Sequence, residues 1–236
     1  MQCLEKDRAR RYETANGSRF RETAFSDQAK WVAVADGEAL RVWDLKRQPP
    51  RPGFLLAAGN FWGLRFSRGE RLLGAVTGSI RTWRTVLVWD LAAGKELARF
   101  EPAHRDNIRD LDFSPDGTLV ATASADNTSK LLDLRTHKEI TLPGQLMSLL
   151  SVRFSPDGRR LATGTGDGEF LIWDLETRRE VMVLKAGGSS AVAGARFYPS
   201  GDALLSIRVP GSLHLWRAPS WGEIEAAEKG KEGKTQ

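Results

Sequence analysis

The chain has 236 residues, a charged share of 28%, a mean hydropathy of −0.37 and a net charge of +5. Its length suits one large all-β domain or two small ones, and no stretch approaches the ~18 apolar residues of a membrane span. A single cysteine, Cys3, leaves no intramolecular disulfide and fits a reducing, cytoplasmic setting. The first eight residues lack the apolar core of a signal peptide. The small positive excess comes without a basic run interleaved with aromatics, so nucleic acid is not a favoured partner.

In chain order, residues 1–18 stand outside any repeat. Residues 19–218 then carry one phrase five times: Val42-Trp43-Asp44-Leu45, Val88-Trp89-Asp90-Leu91, Leu131-Leu132-Asp133-Leu134, Ile172-Trp173-Asp174-Leu175 and Leu215-Trp216-Arg217-Ala218. The second positions are spaced by 46, 43, 41 and 43 residues. A fixed period in this range means one stacked supersecondary unit. Five units follow, at about 19–58, 60–101, 104–143, 146–186 and 190–218. Within each, short apolar runs alternate with turn residues, which is the strand signal. Ser114-Pro-Asp-Gly117 and Ser155-Pro-Asp-Gly158 are tight turns. With no helix-length segment between copies, four strands per copy make an antiparallel blade.

The second copy is the longest, and Thr77–Thr85 reads as an extended hairpin or loop. Gln48-Pro-Pro-Arg-Pro-Gly53 interrupts the outer strand of the first copy, because proline cannot donate to a ladder. After Trp216, Pro219 stops the fifth copy before a fourth strand, and Ser220 with Glu223 reads as a helix start. Residues 219–236 are then a short helix and a disordered polar tail.

The recurring turn, acidic second turn and Trp-Asp terminus resemble the WD40 repeat family over about residues 19–218. The resemblance implies an all-β fold: a β-propeller of about five four-stranded blades. It also implies an internal relay of His, Ser/Thr, Asp and Trp in each blade. Here the third copy offers His104, Thr122 and Asp126, with Leu132 for Trp. The fourth offers Thr163, Asp167 and Trp173, with Gln145 in the His place. The fifth offers Ser206 and Trp216, with Gly188 and Pro210 at the remaining places. Trp43, Asp44, Trp89, Asp90, Asp133 and Asp174 complete the structural positions of the repeat. Five blades make a small ring or an open array. The donor for the last blade would be Tyr12–Phe20, which has few β-formers. Unpaired edges invite self-association.

Both ends resemble a bacterial Ser/Thr protein kinase–WD40 fusion. Gln2–Asn16 is similar to the last segment of such a kinase domain, with Arg11 at its buried arginine, and the segment from Trp216 to Glu228 is similar to the ends of such fusions. The chain holds no glycine-rich nucleotide loop, catalytic lysine, His-Arg-Asp loop or Asp-Phe-Gly, so phosphoryl transfer has no machinery here.

No other chemistry is suggested. His104, His137 and His214 lack a second ligand at metal spacing, and Gly164-Thr-Gly-Asp-Gly168 is a strand-to-strand turn that opens no helix. The expected function is a non-catalytic protein–protein interaction scaffold without cofactor, catalytic or metal residues. The alternative is a sensor or targeting module of a kinase whose catalytic domain is absent. In the WD40 resemblance partners contact the starts of the inner strands, which here are Phe61, Trp62, Asn107, Arg109, Ser148 and Leu149. An aromatic pair beside an arginine has the composition of an interface hot spot.

Overall fold

The computed structural model describes residues 22–46, 55–79, 82–142, 147–185, 192–208 and 211–217. Among them are nineteen β-strands and no helix. Blade 1 holds β1 (Glu22–Phe25), β2 (Trp31–Ala35), β3 (Ala39–Asp44) and β4 (Leu55–Ala58). Blade 2 holds β5 (Phe61–Phe66), β6 (Leu72–Ser79), β7 (Thr82–Asp90) and β8 (Lys95–Phe100). Blade 3 holds β9 (Ile108–Phe113), β10 (Leu119–Ser124), β11 (Ser129–Asp133) and β12 (Glu139–Leu142). Blade 4 holds β13 (Leu149–Phe154), β14 (Arg160–Thr165), β15 (Glu169–Asp174) and β16 (Arg179–Lys185). Blade 5 holds β17 (Val192–Phe197), β18 (Ala203–Arg208) and β19 (Ser212–Arg217). Each blade is an antiparallel meander.

Local chemistry sets the meander. The first turn of every blade repeats one hydrogen-bond pattern: the amide of Ser26, Ser67, Ser114, Ser155 or Tyr198 donates to the carbonyl at the start of the second strand, at 2.8 to 3.0 Å. In blades 1 to 4 the serine hydroxyl also accepts the amide of Trp31, Leu72, Leu119 or Arg160. The turn's fourth residue is left-handed throughout, with φ of 52° at Ala29, 54° at Glu70, 71° at Gly117, 72° at Gly158 and 81° at Gly201. Glycine takes this φ without strain, whereas Ala29 and Glu70 carry a Cβ there.

The recurrent aspartate closes the third turn. Asp90 accepts the amides of Ala92 and Ala93, Asp133 those of Arg135 and Thr136, and Asp174 the amide and hydroxyl of Thr177. These donations, led by Ala93, Thr136 and Thr177 respectively, hold all three carboxyls below the usual range. In the fifth copy Arg217 stands in that place, and among the described residues blade 5 has no fourth strand. The second hairpin of blade 2 is extended, as its length suggested, with pairing that reaches Ser79↔Thr82.

The apolar residues lie between blades. Four cores join blades 1–2, 2–3, 3–4 and 4–5. In each, the following blade contributes one cross-strand row: Phe66-Leu73-Trp89, Phe113-Val120-Leu132, Phe154-Leu161-Trp173 and Phe197-Leu204-Trp216. Leu132 replaces Trp in this row and is fully buried, so the substitution keeps the packing while losing an indole N–H. The innermost strands pack in the order β1, β5, β9, β13, β17, and no comparable packing returns from β17 to β1. Among the described residues, five blades with four joints form an open array. The proline-rich segment 48–53 and the candidate donor strand 12–20 lie outside the described residues.

Candidate partner-binding surface

The inner strands have one ladder edge each, so their outer backbone groups need other partners. Side chains of neighbouring blades supply them. Glu22 on β1 accepts the amides of Gly63 and Leu64 on β5, at 2.6 and 3.0 Å. One repeat-pair on, Asp110 accepts Val152 N–H at 3.1 Å and Asp112 accepts Phe154 N–H at 2.9 Å. Arg65 donates to the Leu111 carbonyl and to Asp110, and Arg153 also reaches Asp110. Burial raises the carboxyls of Glu22 and Asp112 above their usual range, against the pull of these donors and arginines. The result is a rigid polar lattice along the inner strands, which positions the surface at their ends.

At the starts of β5 and β9, this lattice borders a cavity of about 240 Å³ lined by Glu22, Phe61, Trp62, Trp83, Asn107, Ile108 and Arg109. Four of the sequence-predicted residues meet here: Phe61, Trp62, Asn107 and Arg109. Their roles differ. Phe61 is buried at 2% exposure and meets Trp89 edge-on at 5.9 Å, so it packs between blades rather than facing a partner. Trp62 is 42% exposed, its indole N–H donating to the Ile108 carbonyl at 3.3 Å, which fixes the ring at the rim. Asn107 accepts the Trp83 amide at 2.8 Å and so joins blades 2 and 3. Arg109 is exposed and makes no ion pair or hydrogen bond among the described residues. Ser148 is half-buried away from this cavity, and Leu149 is fully buried in the core between blades 3 and 4, so Leu149 offers no contact area. Glu22 and Trp83 escaped the sequence reading: each belongs to the site only through a contact across a blade boundary.

A larger hollow, of about 640 Å³, opens at the opposite end between blades 1 and 2. Turn residues such as Lys30, Asp44, Glu70 and Arg71 line it. It lacks an aromatic pair beside an unpaired charge, and the smaller cavity is the better binding candidate.

The relay residues are structural. In blade 3 the His104 ring lies 2.7 Å from the Thr122 hydroxyl and 3.0 Å from Asp126. Burial lowers the His104 pKa, so the ring is neutral, with Nδ1–H donating to Asp126 and Nε2 accepting from Thr122. Burial pushes Asp126 up, but the donors Thr128, Arg105 N–H and His104 outweigh it and hold its pKa at about 2. Trp173 donates to Thr163 at 3.0 Å and Trp216 to Ser206 at 3.3 Å. Asp167 binds Thr165 instead of joining a relay. His137 is exposed in its turn and His214 stacks on Trp216 at 6.3 Å. No group of three or more His, Cys, Asp or Glu side chains suited to a metal occurs among the described residues.

Comparison with known proteins places this geometry. The family model "WD domain, G-beta repeat" matches residues 94–133 and 137–174. The U3 small nucleolar RNA-associated protein 12 of Saccharomyces cerevisiae is 30% identical over 129 residues, covering 54% of this chain and 13% of that protein. A guanine nucleotide-binding protein subunit beta of Zea mays is 35% identical over 65 residues, or 28% of this chain and 17% of that protein. Eukaryotic translation initiation factor 3 subunit I of Drosophila grimshawi is 37% identical over 59 residues, covering 22% of this chain and 18% of that protein. The chain therefore spans under a fifth of each of these relatives. The β-propeller domain of Myceliophteria thermophila Cps50 (Swd1) superposes with a TM-score of 0.72 at 20% identity, covering 86% of this chain and 67% of that one. A third of that chain lies beyond the match. Family model and fold agree on the unit: residues 94–133 and 137–174 match the WD repeat, and the described residues form an all-β, open array of propeller blades.

Proposed function

We propose that the protein is a non-catalytic interaction scaffold of a cytoplasmic compartment, binding another protein at the cavity between the inner strands of blades 2 and 3. The observation that carries this reading is the pairing of half-exposed Trp62 with the unpaired guanidinium of Arg109 over a largely apolar hollow. Aromatic and arginine anchors at such a hollow are the usual energetic centre of an interface. The cavity has room for one or two side chains of a partner. A Trp62→Ala/Arg109→Ala double variant with unchanged circular dichroism should lose the partners that the wild type captures by affinity purification. Identical recovery would rule this surface out.

The alternative, a targeting module for a Ser/Thr protein kinase, rests on the resemblance of residues 2–16 and 216–228. Residues 2–16 lie outside the described residues, and the relatives above are eukaryotic proteins that add no support for a kinase link. An in-frame kinase domain in the adjoining DNA is the observation that favours it.

A further inference from the structure

Every joint in the array follows one rule. The forward face of one blade meets the Phe-(Leu/Val)-(Trp/Leu) row of the next. Forward positions on the third strand are Leu40 and Val42 in blade 1, Val86 and Val88 in blade 2, and Phe170 and Ile172 in blade 4, all buried.

Both halves of this joint recur, unmatched among the described residues, at the two ends of the array. Blade 5 carries Leu213 and Leu215 at the forward positions, paired across to Ile207 and Leu205. The opposite side of the same strands, with Leu204 and Trp216, is packed on blade 4. Leu213, Leu215 and Ile207 are 65%, 59% and 48% exposed. Blade 1 carries the row Phe25-Val32-Trp43 in the same register as the four rows above, with Phe25 67% exposed. Arg41, which shares this face, is already neutralised by Asp36. An apolar face of this kind is a binding surface or an aggregation hazard.

We infer that blade 5 of one molecule docks by its Leu213/Leu215 face on the Phe25-Val32-Trp43 row of blade 1 of a second copy, making a fifth joint of the type the chain makes four times within itself. The occupant is a second copy because the matching half of the joint is present on the same chain. The contact is face to face, not the strand-edge pairing that the incomplete fifth blade suggests. It is heterologous, so each copy keeps one free end. Such a contact has no built-in stop at two copies, so the assembly grows with concentration.

The test uses the full chain in size-exclusion chromatography with light scattering. Wild type should gain mass with concentration. Leu213→Glu and Phe25→Glu change residues that are two-thirds exposed, so circular dichroism should stay native. Each should weaken association by about a hundredfold, because each buries an unpaired charge in the joint. Mixed in equal amounts, the two variants should form a dimer and nothing larger, because each supplies the face the other lacks. A wild type that stays monomeric up to its solubility limit overturns the inference. So does association that both variants retain, and so does a mixture that forms no dimer, which indicates contact between like faces.

Discussion

Removing the Asp126 carboxylate tests the blade 3 relay most directly. Asp126 accepts hydrogen bonds from the His104 ring, the Arg105 and Thr128 amides and the Thr128 hydroxyl, at 2.6 to 3.0 Å. Its pKa falls from an ordinary 3.8 to about 2. At 1.36 kcal/mol per unit that is about 2.4 kcal/mol, and screening at its partly exposed edge reduces the expectation to about 1.5–2 kcal/mol. The folded-state pKa is depressed, so this stability is fully present above about pH 4 and is lost as the pH falls from 3.8 towards 2. Asp126→Asn should therefore lower the urea-unfolding free energy by about 2 kcal/mol at pH 7. The gap to wild type should shrink to about a third by pH 2.5 and approach zero only near about pH 1, whatever the other carboxyls do to both proteins. A gap that is the same at both pH values refutes the electrostatic reasoning and leaves only packing. No gap at pH 7 removes the relay from the account of stability.

Other outcomes follow from the same geometry. Trp173→Phe removes an indole N–H bonded to buried Thr163 and part of a fully buried ring, and should cost about 2–3 kcal/mol in denaturant unfolding. Ala29→Gly should raise stability by about 0.5–1 kcal/mol in thermal unfolding, since the relief of a left-handed φ of 52° exceeds the added chain entropy. Glu22→Ala strips two amides of their acceptor and should cost about 2 kcal/mol, with faster hydrogen exchange confined to Gly63 and Leu64. His104, held neutral by burial, should show no charging near pH 6.5 by NMR. Its share of stability is complete above that pH and declines as acid forces the proton on.

The sequence made the repeat legible because its signals are local. Ser-Pro-Asp-Gly and Trp-Asp act within six residues, and each does in the fold what its chemistry allows: a hydroxyl and a carboxylate close turns. The binding surface was legible only in part. Phe61, Trp62, Asn107 and Arg109 line the cavity, but Phe61 is also buried against Trp89 and Leu149 lies wholly in an inter-blade core. Strand alternation tells that a residue lies on one face, not whether a neighbouring blade covers that face. Glu22 acts on residues some 42 positions away, a relation that only the stacking of blades creates.

The open array also has a direction of fragility. Stability in stacked repeats is close to a sum of each unit's own stability and its nearest-neighbour contacts. Blade 3 is held from both sides, whereas among the described residues blade 5 leans on one neighbour, through Ala162, Phe170 and Ile172 against Ala195 and Leu204. It also lacks the outer strand that the other four blades possess among the described residues. Blade 5 is therefore expected to open first, with faster hydrogen exchange in β17–β19 than in blades 2–4 as the check. The terminus with the most exposed apolar face is thus also the part that opens first, so contact with a neighbour there would stiffen the whole chain.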